Sequence, residues 1–229
     1  MIRVLKHWSE IGEANKSLSR LGLMRHSTCE KSWDLNLLYN CIAQFPKDSN
    51  VIDLGCGDLS TLKLLESLGF MNLYGIDLSI SYRHRLSQAA GMWRKKTFRS
   101  PFHLKKMDML HTNFEDGKFD CAVSISTIEH GVDIRKFFAE VSRIIKRGGL
   151  LFITTDYWED KLEIADAFRA FDLPWKVFDK NDILLISSEA EKSGFALVDE
   201  RGWDLGCHDR CIVWGGQEYT FIALVFRKE

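Results

Sequence analysis

The sequence predicts an α/β chain: a mostly parallel sheet with helices on both faces. Three observations carry that expectation. Val51-Ile52-Asp53-Leu54 is a short apolar run that breaks at Gly55 and Gly57, and Leu62, Leu64, Leu65 and Leu68 then follow at helical spacing. Leu73-Tyr74-Gly75-Ile76-Asp77 repeats the pattern of an apolar run closed by an acid, and Asp77 lies 24 residues past Asp53, the length of one strand–helix–strand unit. Phe119-Asp120-Cys121-Ala122-Val123-Ser124 is a further strand-like run. A helix pattern built on Phe137, Phe138, Val141, Ile144 and Ile145 follows it.

Residues 1–48 read as mostly helical, with apolar stripes Trp8, Ile11, Leu18, Leu21, Leu23 and Trp33, Leu35, Leu37, Leu38, Ile42, ending at Pro46. The first strand and its glycine turn span 50–57, and a helix covers 59–69 and stops at Gly69. A second strand is expected near 72–76, a helix at 80–92 and a third strand near 102–107, closing at Asp108. The fourth strand is 119–125, the next helix 133–146 and the fifth strand 150–155, entered through Gly148-Gly149. Residues 158–180 are aromatic and irregular (Trp158, Phe168, Phe171, Trp175, Phe178) and suit an insertion on the substrate side. A helix at 180–193 ends at Gly194 and a sixth strand takes 195–203. Trp203 to Gln217 forms a long hairpin loop, and 219–226 is the last strand.

The glycine turn directs the chemistry. Glycine admits positive φ and lets a ligand lie against the backbone, and the helix behind it aims free N–H groups at the same place. A dinucleotide fingerprint would need a third glycine at position 60, where this chain has Ser60. Asp53 at the strand end suits a cationic group and repels a pyrophosphate. Asp77, at the end of the second strand, is placed to accept hydrogen bonds from ribose hydroxyls.

The stretches Val51–Gly57, Gly75–Ser79, Met107–Leu110, Phe119–His130 and Arg143–Thr155 together resemble the class I S-adenosylmethionine-dependent methyltransferases. Ile144-Ile145-Lys146-Arg147-Gly148-Gly149 is similar to that family's lead into its fifth strand, with Arg147 where proline is usual. The resemblance implies a Rossmann-like seven-stranded sheet, mostly parallel, with the last hairpin antiparallel and its seventh strand between the fifth and sixth. It implies a helical segment or lid at 1–48, for which Trp33 and its neighbours are candidates, and a methyltransferase domain at 49–229.

It also implies S-adenosylmethionine as the cofactor. Asp53, Gly55, Cys56 and Gly57 would hold its methionine end and Asp77 the ribose. Leu78 would pack on the adenine, Asp108 and Met109 would hold the adenine's amino edge, and Ser126 would line the site near the methyl. Ile128–Asp133, Thr154–Trp158, Phe178-Asp179 and Tyr219–Phe221 resemble a bacterial subgroup associated with sugar or polysaccharide biosynthesis.

Transfer from an activated methyl asks the protein to position the acceptor and exclude water. An oxygen acceptor also needs a base. His130 and Asp156 are the candidates, with Glu129 behind them. Each has a plainer role open: His130 as a partner of a loop carbonyl, Asp156 as a helix cap.

The chain has 229 residues, 45% apolar and 28% charged, with net charge −1. That balance offers no general attraction to nucleic acid or acidic membranes. The basic stretch from Arg83 to Lys106 suits an anionic or sugar-linked acceptor, or simply a solvated face. Six cysteines without paired spacing read as reduced thiols of a cytoplasmic protein. Cys207-His208-Asp209-Arg210-Cys211 lacks the second ligand pair of a structural zinc site, so no metal is expected. No apolar run reaches membrane-spanning length.

The expected activity is methylation of a small molecule, with O-methylation of a sugar or polysaccharide precursor foremost. RNA or protein methylation and a non-catalytic cofactor-binding module with a regulatory role stand as alternatives. The oligomeric state is left open.

Overall fold

The structure is a computed structural model that describes residues 1–81, 102–165, 167–199 and 203–229. Its main sheet is built from β1 (Ile2–Val4), β2 (Asn50–Leu54), β3 (Asn72–Asp77), β4 (His103–Lys106), β5 (Phe119–Ile125), β6 (Ile145–Tyr157), β9 (Phe195–Leu197), β10 (Ile212–Trp214) and β11 (Gln217–Lys228). A separate two-stranded ribbon pairs β7 (Arg169–Ala170) with β8 (Leu173–Pro174). The described helices are α1 (Trp8–Arg20), α2 (Ser32–Ile42), α3 (Ser60–Ser67), α4 (Ile134–Ile144) and α5 (Lys180–Lys192).

The path of the sheet is β1-β11-β6-β5-β2-β3-β4. The pairs β2–β3, β3–β4, β2–β5 and β5–β6 are parallel, and β11 runs antiparallel to β6. β9 and β1 take the other edge of β11, so β11 lies between β6 and β9 as expected. The order reverses beside β2, and open α/β sheets form their ligand crevice at such a point.

Alternation along the strands explains the two-sided core. Val51, Cys121, Val123, Phe152, Phe221, Ala223 and Val225 face one apolar cluster with α1, α2 and α3. Their neighbours Ile52, Leu54, Ala122, Leu151, Ile153, Ile222, Leu224 and Phe226 face the other, with α4 and α5. Successive side chains point to opposite faces. A sheet covered on both sides therefore needs near-continuous apolar strands, which is what these segments are.

The helices start at defined caps. The Asp133 carboxylate accepts the Lys136 N–H at the head of α4. Asp179 and Asp182 exchange backbone-to-carboxylate hydrogen bonds of 2.9 and 3.1 Å at the head of α5.

Several expectations are corrected. The first residues form β1, because Ile2–Val4 finds an open backbone edge on β11. β6 begins at Ile145 rather than 150, and its register with β5 shifts between Phe119 and Cys121, so the two glycines sit within the strand. Arg147 is exposed there and a proline is not required. β9 is only three residues long. The long loop proposed for 203–217 contains β10, closed onto β11 by Gly215-Gly216, both at positive φ, as a two-residue hairpin requires. Residues 82–92 of the expected helix at 80–92, and the basic stretch from Arg83 to Arg99, lie outside the described residues, while Lys105 and Lys106 at the end of that stretch stand on β4. Among the described residues no helix is long and apolar enough to cross a membrane.

Candidate functional site

The glycine turn after β2 is held by the neighbouring strand. Gly55 and Cys56 both donate their N–H to the Ile76 carbonyl, at 2.8 and 3.0 Å. A Cβ on Gly55, at φ +83°, would stand 2.3 Å from Thr127 Cγ2. Glycine is thus needed there to make room for the loop after β5. A Cβ on Gly57 would meet the Gly55 carbonyl oxygen at an ordinary 3.8 Å. The Gly57 N–H donates to Asp77 Oδ2 at 3.1 Å, which ties the ends of β2 and β3 together. Leu59, left-handed at φ 68°, starts α3. Ser60, where a third glycine would stand, donates its hydroxyl to Asp58.

A cavity of about 680 Å³ opens over the ends of β2, β5, β6 and β11. It brings together Asp53, Gly55, Cys56, Gly57, Ser126, His130 and Asp156 of the expected site. Asp77, Leu78, Asp108 and Met109 do not line it. Asp77 and the half-exposed Leu78 lie at the end of β3, and Asp108 caps a turn by accepting the Leu110 N–H. These four mark the next strand ends along the sheet, outside the enclosed space.

Further side chains complete the cavity, among them neighbours of Trp33 in the expected lid segment. His26, Thr28, Glu30, Lys31 and Leu35 reach it from the N-terminal segment, and Trp214 and Ile212 from β10. Trp33, the expected lid residue, is instead buried in the core, with its indole N–H 3.4 Å from Glu10. His26 Nε2 lies 2.9 Å from Asp58 Oδ2. The segment is thereby attached directly to the glycine turn. His26 and Lys31 are polar residues between two apolar stripes, and nothing in the sequence pattern sets them apart from surface residues.

Three acids of the cavity, Asp53, Glu129 and Asp156, are buried, whereas Asp58 is exposed. Asp53 is 2% exposed, and burial, then the charges of Asp58 and Asp77, hold its carboxyl well above the usual range. Glu129 is 1% exposed, accepts the Thr155 hydroxyl at 2.9 Å, and is likewise raised well above its ordinary value by burial and by Asp156. Asp156 accepts the Trp175 indole N–H at 2.8 Å and shares a hydrogen bond with the Tyr219 phenol. Burial pushes it up to about 6, against the opposing pull of Lys31. No helix follows Asp156, so the helix-cap role does not apply.

His130 departs from its expected near-neutral titration. Burial and the nearby Lys31 charge lower it to about 4, and its Nδ1 has no hydrogen-bond partner. It is therefore neutral at pH 7 and a weak proton acceptor. Ser126, at φ 47°, also carries a buried hydroxyl without a partner.

The insertion between β6 and α5 forms the far wall. The Lys176 N–H donates to the Glu129 carbonyl and the Phe178 N–H to the Asp156 carbonyl, both at 3.1 Å, which straps Trp175 over the two acids. Trp175 packs edge-on against Trp214, with centroids 4.8 Å apart, and against Tyr219 at 5.8 Å. Phe171 and Val213 stand at the mouth, 82% and 69% exposed. Among the described residues no cluster of His, Cys, Asp and Glu could hold a metal ion. Cys207 is half-buried, Cys211 fully so, and burial raises both thiols, to about 12 and about 11.

Residues 52–153 match the family model described as a methyltransferase domain. The chain is 30% identical over 128 residues to ajmaline N-methyltransferase of Rauvolfia serpentina, covering 52% of this chain and 42% of that protein. It is 34% identical over 112 residues to the chloroplastic tocopherol O-methyltransferase of Arabidopsis thaliana, covering 48% and 30%. This chain thus spans less than half the length of these curated relatives. The crystal structure of geranyl diphosphate C-methyltransferase from Streptomyces coelicolor, in complex with Mg2+, geranyl diphosphate and S-adenosyl-L-homocysteine, superposes with a TM-score of 0.63 at 15% identity. It covers 98% of this chain and 86% of that one. The shared architecture is the doubly wound sheet with an antiparallel strand beside β6.

Proposed function

We propose, from the match of residues 52–153 to a methyltransferase domain, that this chain is a class I S-adenosylmethionine-dependent methyltransferase that transfers a methyl group to a small-molecule acceptor held in the cavity over β5, β6 and β11. The observation that carries this reading is the continuity of one crevice. The Gly55–Gly57 turn and Asp53 open directly into a space walled by Glu129, Asp156, Trp175 and Tyr219.

The residues present fit the cofactor. The charges of Asp58 and Asp77 beside the buried Asp53 suit the amino and sulfonium end of S-adenosylmethionine, whose positive charge would favour ionised Asp53, and are hostile to a pyrophosphate. Gly55, Cys56 and Gly57 would hold that end through the turn, and Ser126 would line the approach. Asp77 would take the ribose, with Leu78, Asp108 and Met109 around the adenine. When bound, S-adenosylmethionine supplies a methyl on positive sulfur, which an acceptor lone pair takes in line while the carbon–sulfur electron pair returns to sulfur.

The chain's own work is orientation, exclusion of water and proton removal. The segment from His26 to Leu35, anchored through His26 to Asp58, serves as the lid of the 1–48 segment over the 49–229 domain. Trp175 and Trp214 keep one wall dry. Asp156, near 6, is the better proton acceptor at neutral pH, and His130 shapes the wall as a neutral ring. Of the relatives named above, none is by its name a sugar methyltransferase, so the O-methylated sugar has no support from them.

Labelled methyl transfer from S-adenosylmethionine into a fractionated extract, with nuclease and protease controls, tests this reading. Label in small-molecule fractions is expected. Label lost with nuclease or protease moves the acceptor to RNA or protein. Cofactor binding without transfer to any fraction favours a regulatory module.

A further inference from the structure

We infer that the acceptor is a cationic amine with an apolar, ring-sized body. Its nitrogen would sit between Glu129 and Asp156 under the Trp175–Tyr219 wall, and its body would leave past Phe171, Val213 and Trp214. This rests on the methyltransferase reading of the same cavity.

The charge balance of the cavity points to a cation. Glu129 and Asp156 are both at least nine-tenths buried and both line the cavity. Among the described residues neither lies within ion-pair distance of a cation. Lys31 acts on both from farther off, and on the fully buried Asp34 as well. Removing charge from water is costly unless an opposite charge answers it. At neutral pH the pair carries chiefly the charge of Asp156, which has neutral hydrogen-bond donors and one lysine acting from a distance, and an ammonium entering the cavity would supply its counter-charge.

The walls point the same way. Trp175, Trp214, Tyr219 and Phe221 line one side. Aromatic faces attract ammonium groups through their quadrupole. The chain's own ammonium already makes such a contact: Lys31 Nζ lies 5.5 Å from the centroid of the Phe221 ring, at the cavity. The mouth has a different character. Phe171, at positive φ on the β7–β8 turn, and Val213 on β10 present exposed apolar surface on either side. Such surface suits the body of an acceptor rather than its charge.

The proton accounting is consistent. An amine arriving as an ammonium gives one proton to the Glu129–Asp156 pair. Its freed lone pair then forms the nitrogen–carbon bond, the carbon–sulfur bond breaks with its pair going to sulfur, and an N-methylammonium and a neutral thioether result.

Binding in the presence of saturating S-adenosylhomocysteine tests this without relying on turnover. Tryptamine, tryptophol and indole-3-acetate share one apolar body and differ in head group. Isothermal titration is expected to show tryptamine binding at least tenfold tighter than the other two. Glu129→Gln and Asp156→Asn should each cut that preference, with S-adenosylhomocysteine affinity unchanged as proof that the variants fold. Lys31→Met should raise tryptamine affinity by removing a competing cation.

Equal or tighter binding of tryptophol or indole-3-acetate overturns the amine assignment. So does an unchanged preference in both carboxylate variants, or no binding of any of the three while S-adenosylhomocysteine binds. Failure of the wild-type chain to bind S-adenosylhomocysteine removes the methyltransferase reading itself, and this inference with it.

Discussion

Asp34 shows how a single buried acid bears on stability. It is fully buried on α2, and burial pushes its carboxyl up to about 7 despite the favourable Lys31 charge. Its folded value lies above its unfolded one, so between roughly pH 4 and pH 7 the folded state binds more protons than the unfolded state. The penalty of ionising it in place is present above pH 7 and is relieved as pH falls. Asp34→Asn is therefore expected to raise Tm at pH 7.5, and the two melting curves should converge only as pH approaches 4. A gain that is the same at both pH values would contradict the assignment. Gly55 tests a steric claim. Gly55→Ala should cost about 1–3 kcal/mol from overpacking against Thr127, plus about 1–2 kcal/mol for a left-handed alanine. Adding Thr127→Ala should restore only the first part, as chemical denaturation of the single and double variants would reveal. At this scale much of the candidate site was legible. Asp53, Gly55, Gly57 and Asp156 stand out because acids and glycines that close apolar strand runs mark the strand ends where an open α/β sheet forms its crevice, even though Gly55 also makes room for Thr127. Lys31 and His26 were not legible, since their role comes from a segment folding back over the turn, and no local pattern encodes that.

At the scale of elements, α4 and its neighbours make the most quantitative claim. Phe138 is fully buried and its ring meets Phe137, Phe195 and Phe226 at centroid distances of 5.4 to 6.1 Å. Phe138→Ala should therefore destabilise the chain by about 3–5 kcal/mol in urea denaturation. The lid makes a different claim. His26→Ala removes the contact to Asp58 and the hydrogen bond that its Nδ1 accepts from the Thr28 N–H, while leaving the apolar core clusters untouched. It is expected to weaken S-adenosylhomocysteine binding several-fold with Tm within a degree or two, and an unchanged affinity would count against a lid at this segment. Helix and strand periods made β2, β3, β5, α4 and α5 readable to within a residue or two at each end. Other elements are decided by pairing across the chain. β1 and β9 are three residues each and exist because β11 offers an edge. β10 exists because Gly215-Gly216 turns the chain back on itself. Trp33 looked like a lid because an aromatic stripe near a helix start has no sequence mark telling core from cavity wall.

For the molecule as a whole, the topology gathers one crevice from distant stretches of the chain. The sheet reverses its strand order beside β2, and the loops after β2, β5 and β6 open on the same side. β11, inserted antiparallel, brings Tyr219 and Phe221 to that side as well. The cofactor-binding claim rests on that convergence and is the one on which the lid, the acceptor and the proton acceptor all depend. The most direct measurement is isothermal titration of the purified chain with S-adenosylhomocysteine and, separately, with NAD, on the wild type and on Asp77→Asn. One site for S-adenosylhomocysteine is expected, with no heat from NAD. Asp77→Asn should weaken the affinity about tenfold or more, the loss of charge-assisted hydrogen bonds worth about 1.5–3 kcal/mol. Saturable NAD binding, or no binding of S-adenosylhomocysteine by a folded wild-type chain, would contradict the account at its base.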